Sequence, residues 1–247
     1  MAQNKATGSS TVVYYPSTTW ANHPDILKAS HFPTLVYRYL DASGCSLDFD
    51  GLCEDLRNAE PNSIFLFHMC GHNPTGKSQI LYVFLLESSI QFVHIIYICL
   101  YNVGVDPTED QWRIIYSICR ERNSLPIFDN AYQGFVSGDP DRDAFPVRYF
   151  TEQAALTPES PFNMLVCCSF AKNFGLYGER VGALHVMTST EAEGALAAAQ
   201  LRALSRTIYS TCPAYGARLV TYVLSDPERK NQWKRECKGK LFLVLGF

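Results

Sequence analysis

The stretch NMLVCCSFAKNFGLYGERVGALHVMT, Asn163–Thr188, decides how this chain folds. Asn163–Phe170 is an apolar run of strand length, and Arg180–Thr188 reads as a second strand. Upstream, LPIFD (Leu125–Asp129) is a strand that ends in an acid, and SIFLFHMC (Ser63–Cys70) is another buried strand. Between those two lies TEDQWRIIYSICRERN, where Thr108 and Gln111 have the spacing of a capping box. Trp112, Ile115, Ile118 and Cys119 then fall on one helical face. Downstream, TEAEGALAAAQLRALSR opens with Thr190 and Glu193 at the same spacing and continues as an alanine-rich helix. Strand, helix, strand in this order predicts an α/β fold with a largely parallel sheet. Ligands in such sheets gather at the carboxyl ends of the strands.

The composition narrows the function. The chain has 247 residues, 47% of them hydrophobic and 18% charged, with net charge −3. That is enough to bury a real core, in one large domain or two small ones. Lysine and arginine form no stripe, so a nucleic-acid partner is not expected. Nine cysteines without a C-x-x-C pair predict reduced, mostly buried thiols and neither a zinc site nor a disulfide framework. The opening MAQNKATGSSTVVYY shows no targeting signal, so a cytoplasmic location is expected, with no membrane.

The strand ends carry the chemistry. SFAKNFGLYGERVG (Ser169–Gly182) sets Lys172 three residues after a strand-end serine, then glycines, then Arg180. FDNAYQG sets Asp129 at a strand end with Tyr132 three residues on, and HNPTG supplies the Asn73 amide on a proline-braced turn. An amine, an acid, a phenol, an amide and an arginine in one cleft suit pyridoxal 5'-phosphate. Its aldehyde takes an amine as a Schiff base, and its ring nitrogen takes a carboxylate that keeps it protonated. Its ring oxygen takes hydrogen-bond donors, and its phosphate takes an arginine.

Taken together, HNPTG, FDNAYQGF, SFAKNFGLYGERVG and the pair RYF and SDPE resemble the aspartate aminotransferases, fold type I pyridoxal-phosphate enzymes, from about Thr11 to Gly239. The resemblance implies a three-layer α/β sandwich around a mostly parallel sheet, here incomplete. It implies transfer of the amino group of aspartate to 2-oxoglutarate, giving oxaloacetate and glutamate, in a homodimer. Lys172 would form the Schiff base and shuttle the proton. Asp129 would pair with the ring nitrogen, with His23 behind it. Asn73 and Tyr132 would bond the ring oxygen, Ser169 and Arg180 would hold the phosphate, and Trp20 would stack on the ring. Arg206 would reach the neighbouring subunit's site and grip a dicarboxylate substrate. The wording departs from the family at Thr211 and Cys212.

Two larger departures follow from the same comparison. Family members extend further at both ends, so the chain is expected to be truncated, with unpaired sheet edges and exposed apolar faces. Within it, Lys77–Gly104 interrupts a join that the family writes as NPTG followed directly by the Val105–Thr108 wording. This apolar run reads as an in-frame translated intron, because Gly76–Lys77 can be encoded GGT-AAG, which contains a typical donor sequence. The Gly239–Lys240 break before residues 240–247 reads the same way. A membrane-crossing helix would place Glu87 inside the bilayer at high cost. The domain is therefore expected over 1–239, interrupted at 77–104. The alternative to an active enzyme is a non-catalytic truncated isoform or a gene-model artefact.

Overall fold

The computed structural model describes residues 11–75, 79–83, 96–100 and 104–245, with side chains for 11–75 and 104–238. The segment read as an insert, 77–104, lies largely outside these residues, as do the side chains of the tail.

The chain begins β1 (Val13–Pro16), α1 (Asn22–Ala29), β2 (Thr34–Tyr37), α2 (Phe49–Asn58) and β3 (Ile64–His68). Two short strands, β4 (Gln79–Val83) and β5 (Ile96–Leu100), pair only with each other among the described residues, antiparallel. Then come α3 (Glu109–Glu121), β6 (Leu125–Asn130), α4 (Pro140–Asp143), α5 (Phe145–Ala155) and β7 (Met164–Ser169). The last elements are β8 (Gly182–Met187), α6 (Glu191–Ile208), α7 (Tyr215–Leu224) and α8 (Pro227–Leu245).

Six strands form one sheet in the order β2-β1-β3-β6-β7-β8, and all adjacent pairs are parallel except β7 with β8. The exception has a local cause: β7 returns to β8 through a loop holding only a 3-10 turn, Tyr177–Glu179, with no crossover helix. Pro126 lies inside the central strand β6, where a missing N–H would normally break a ladder. The β6–β7 ladder starts one residue later, at Ile127 with Leu165, so no β7 bond is lost.

Alternation along the strands buries one face. Phe65 and Phe67 of β3, Phe128 of β6, and Met164 and Val166 of β7 pack against Leu52, Leu56, Trp112, Ile115 and Phe150 of α2, α3 and α5. Phe128 meets Phe150 edge-on at 5.2 Å, and Trp112 meets Phe67 edge-on at 5.8 Å. Such pairs add about 1 kcal/mol each beyond the area they bury. The opposite face is buried at Val13 and Leu66 but thinly covered at β7, where Leu165 is half-buried and Cys167 exposed, and α6 has no buried residue. The edge strand β2 leaves Leu35 and Val36 more than half exposed. One helical layer thus packs closely on the sheet while α6 and the β2 edge leave apolar side chains exposed, in line with the expected exposed apolar faces.

Helix starts follow the sequence closely at α3 and loosely at α6. Thr108 accepts from the Gln111 N–H while the Gln111 side chain accepts from the Thr108 N–H, a full capping box. At α6 only half of the expected box forms. Thr190 accepts from the Glu193 N–H, but the Glu193 carboxylate has turned to the Ser189 N–H, one residue earlier. Four of the eight described cysteines are buried, fewer than the composition suggests, because Cys45, Cys167 and Cys212 are exposed and Cys168 is half-buried.

Candidate functional site

The sheet order reverses at β1: β2 lies on one side of it and β3 on the other. A crevice opens at the carboxyl ends of strands at such a point. The ends of β1, β3, β6 and β7 deliver Thr19 and Trp20, His68, Asp129 and Lys172 to it.

Asp129 and His68 are lateral neighbours in the β3–β6 register. The Asp129 Oδ2 lies 3.3 Å from His23 Nε2 and 4.0 Å from His68 Nδ1. The Thr19 hydroxyl sits 2.8 Å from both His23 Nδ1 and His68 Nε2, joining the far sides of the two rings. Burial lowers the His68 pKa to about 4, with His23 and Lys172 pushing the same way and Asp129 pulling against them. The ring is therefore neutral and carries one proton. The Thr19 hydroxyl can donate to one of the two rings and accept from the other, so it links them in either order.

Lys172 is half-buried, its Nζ 4.0 Å from the centre of the Tyr132 ring. The Asn73 amide donates to the Tyr132 hydroxyl at 3.4 Å. These three side chains lie, like Asp129, at or just beyond the carboxyl ends of the sheet strands. The turn carrying Asn73 is tied down from a distance. The Asp106 carboxylate accepts from the Gly71 N–H at 2.7 Å and from the His72 N–H at 2.8 Å. The loop carrying Tyr132 is closed in the same manner by Asp143, which accepts from the N–H groups of Gly134, Val136 and Ser137.

Other expected site residues stand further out. Ser169 faces Gly182 in the β7–β8 register, which sets it and Arg180 at the mouth of one loop. The Ser169 hydroxyl accepts from the Ala171 N–H, while the exposed Arg180 donates to the Tyr177 carbonyl and lies over its ring. Trp20 is 41% exposed and meets His23 edge-on at 5.3 Å. Arg206 is exposed in the last turn of α6 and has no hydrogen bond or ion pair among the described residues. Sequence reading missed Thr19, His68, Asp106 and Asp143. His68 could have been found, since it ends its strand as Asp129 ends the neighbouring one.

The family model for aminotransferase class I and II matches residues 5–79 and 89–241, passing over a stretch inside the apolar segment. The chain belongs to the class I and II aminotransferases. It is 40% identical over 226 residues to the mitochondrial aspartate aminotransferase of Dictyostelium discoideum, covering 92% of this chain and 45% of that one. Among solved structures, the Saccharomyces cerevisiae cytoplasmic aspartate aminotransferase superposes with TM-score 0.77 at 32% identity. That match covers 98% of this chain and 51% of the yeast one. An aromatic-amino-acid aminotransferase from Burkholderia pseudomallei, covalently bound to pyridoxal phosphate, superposes with TM-score 0.74 at 31% identity, covering 94% and 50%. This aminotransferase chain therefore spans about half the length of the relatives it matches. Mitochondrial and cytoplasmic forms both occur among them.

Proposed function

We propose that this chain is the cofactor-holding part of an aspartate aminotransferase, passing the amino group of aspartate to 2-oxoglutarate with pyridoxal 5'-phosphate. The observation that carries the reading is the donor set around one crevice. Both histidines touch Asp129 through Oδ2, so Oδ1 has no partner among the described residues and can receive a protonated ring nitrogen. Lys172 offers an amine over the Tyr132 ring, and Asn73 and Tyr132 offer two hydrogen-bond donors between them. That is the complement of a pyridine ring bearing a carbonyl and a phenolic oxygen.

Bound there, the cofactor supplies a carbonyl carbon for amines and a cationic ring that accepts electron density. Lys172 would be the amine that holds it, and its Nζ would carry the proton to and from the substrate Cα. Asp129 holds the ring-nitrogen proton, and His23 orients the carboxylate. Asn73 and Tyr132 donate to the ring oxygen and favour its ionised form. Ser169 and Arg180 would hold the phosphate, which needs Arg180 to turn from Tyr177, and Trp20 would lie against the ring. Arg206, exposed at a helix end, reaches a second copy's site and grips the distal carboxylate of a dicarboxylic amino acid or 2-oxo acid. A homodimer is part of this reading.

The test is absorbance of the purified chain mixed with pyridoxal phosphate, followed by an assay with aspartate and 2-oxoglutarate. A visible band that Lys172→Ala abolishes, with turnover, supports the full reading. A second reading, a chain that holds cofactor without turnover, is favoured by the open sheet face and the unburied α6. It predicts the band and no product. Absence of the band overturns both.

A further inference from the structure

Asp106 lies on the far side of the apolar segment from Asn73, yet its carboxylate meets the backbone just before Asn73. Three further contacts close the same place. Thr75 Oγ1 accepts from the Val105 N–H at 3.1 Å, and the Tyr39 hydroxyl donates to the Val105 carbonyl at 2.7 Å. The Tyr39 ring stacks on His72 at 3.7 Å. Gly71 has φ +62°, so the turn departs in a left-handed conformation, and its amide is then aimed at Asp106. Two consecutive N–H groups on one carboxylate fix the peptide planes on either side of Gly71. Asn73 follows within two residues.

We propose that Asp106 is a positioning residue for the transamination site: by gripping the Gly71 and His72 amides it fixes where Asn73 presents its side chain. The proposal rests on the reading above for what Asn73 touches, while the grip itself needs no cofactor. Charge-assisted bonds to N–H groups are the stronger kind and hold a turn that has no ladder of its own. Asp106 also lines a cavity of about 370 Å³ with Glu109, Arg142 and Asp143, which gives its proton a route to solvent. The titratable groups facing it are Cys70 and His72 beyond β3, Tyr39 beyond β2, and Asp143 at the end of α4.

The experiment is hydrogen exchange on the peptide covering residues 69–75, in the wild type and in Asp106→Asn. The carboxamide keeps one acceptor, but its NH₂ then meets a backbone N–H. Exchange at Gly71 and His72 should quicken about tenfold, the loss of one to two hydrogen bonds, with the β3 and β6 peptides unchanged. Unchanged exchange at 69–75 overturns the proposal. If the variant does not fold, the wild type is compared at pH 7 and pH 5, correcting for intrinsic rates. Protonating Asp106 should then release the same two amides, and retained protection overturns the proposal. With pyridoxal phosphate added, Asn73→Ala and Asp106→Asn should each raise the pH midpoint of the visible band, by about one unit. The double variant should shift no further. A purely structural role would leave that midpoint where it is in Asp106→Asn. A wild type with no band would refute the functional reading alone, since the exchange result stands without it.

Discussion

The indole of Trp233 donates its Nε1–H to the Asn173 carbonyl at 3.0 Å, and its ring stacks on Phe174 at 4.9 Å with planes 19° apart. Helix α8 thereby clamps the backbone immediately after Lys172. The buried Asn173 side chain donates in turn to the Gln133 carbonyl, beside Tyr132. The lysine and the phenol it overlies are thus referred to one frame. Trp233→Phe keeps the stack and loses the hydrogen bond, and should cost about 1 kcal/mol in urea denaturation. Trp233→Ala should cost roughly 2 to 3 kcal/mol, below a fully buried tryptophan because this ring is half-exposed. Equal costs for the two variants would show that the stack contributes nothing.

Phe150 joins the helical layer to the sheet. It is fully buried and meets Phe128, Trp112, Tyr116 and Phe162, so its removal leaves a cavity bounded by four aromatic rings. Phe150→Ala should lose about 3 to 5 kcal/mol. Phe150→Leu should lose less than half of that, read from the shift in urea midpoint. A small loss for alanine would mean that the layer collapses onto the gap.

The strands and α3 were legible because their apolar periodicity answers to burial on one face, and Thr108 with Gln111 sits where a helix must start. The placement of Asp129, Lys172, Asn73 and Tyr132 was legible because each lies at or just beyond a strand end. His68 carried the same strand-end signal, but Thr19 did not, because it acts by bridging His23 and His68 across β1 and β3, and no spacing along the chain records that. Asp106 was hidden for a related reason: its partners are backbone amides, which look alike in every sequence. The half-formed box at α6 shows the opposite limit. Glu193 has two N–H groups within reach, and the choice between them is made by the backbone entering the helix.

Acid should destabilise the fold, and the histidines beside the site set the direction. Burial lowers the His72 pKa to about 2, and His68 and His23 add to it; His68 itself lies at about 4. Both take up protons in the unfolded chain near 6.5, long before they do so when folded. Their contribution is complete above pH 6.5 and is lost as pH falls toward those folded values. Asp106 opposes them. Burial raises it to about 6 from 3.8, against the pull of the Gly71 and His72 N–H groups, and Asp143 adds to the rise. The folded chain therefore protonates Asp106 first, and its contribution is lost as pH rises through 6. Between pH 6 and 4, two protons oppose one. Stability from these three groups should fall by about 1.4 kcal/mol per pH unit. His72→Gln should flatten that slope in urea melts between pH 6.5 and 4.5; an unchanged slope would place the proton uptake elsewhere.

The contacts at the base of the apolar segment are those of an unbroken turn. Joining Gly76 to Val105 would make the bond from the Val105 N–H to Thr75 Oγ1 an i to i+2 contact, the ordinary geometry of a threonine turn. Gly104 now presses on the backbone of His72 so closely that a Cβ there would fall 2.3 Å from its nitrogen and 2.4 Å from its oxygen. The joined chain would keep a glycine at that place, because Gly76 precedes Val105 as Gly104 does now. Deleting the 28 residues 77–104 should therefore leave the circular dichroism of the main fold unchanged. It should raise stability by on the order of 2 kcal/mol, the closure entropy of the long loop. It should also preserve any visible band with pyridoxal phosphate and its dependence on Lys172. A lower urea midpoint in the shortened chain would mean that the segment packs on the domain and supports it, and the reading of 77–104 as a separable excursion would fall.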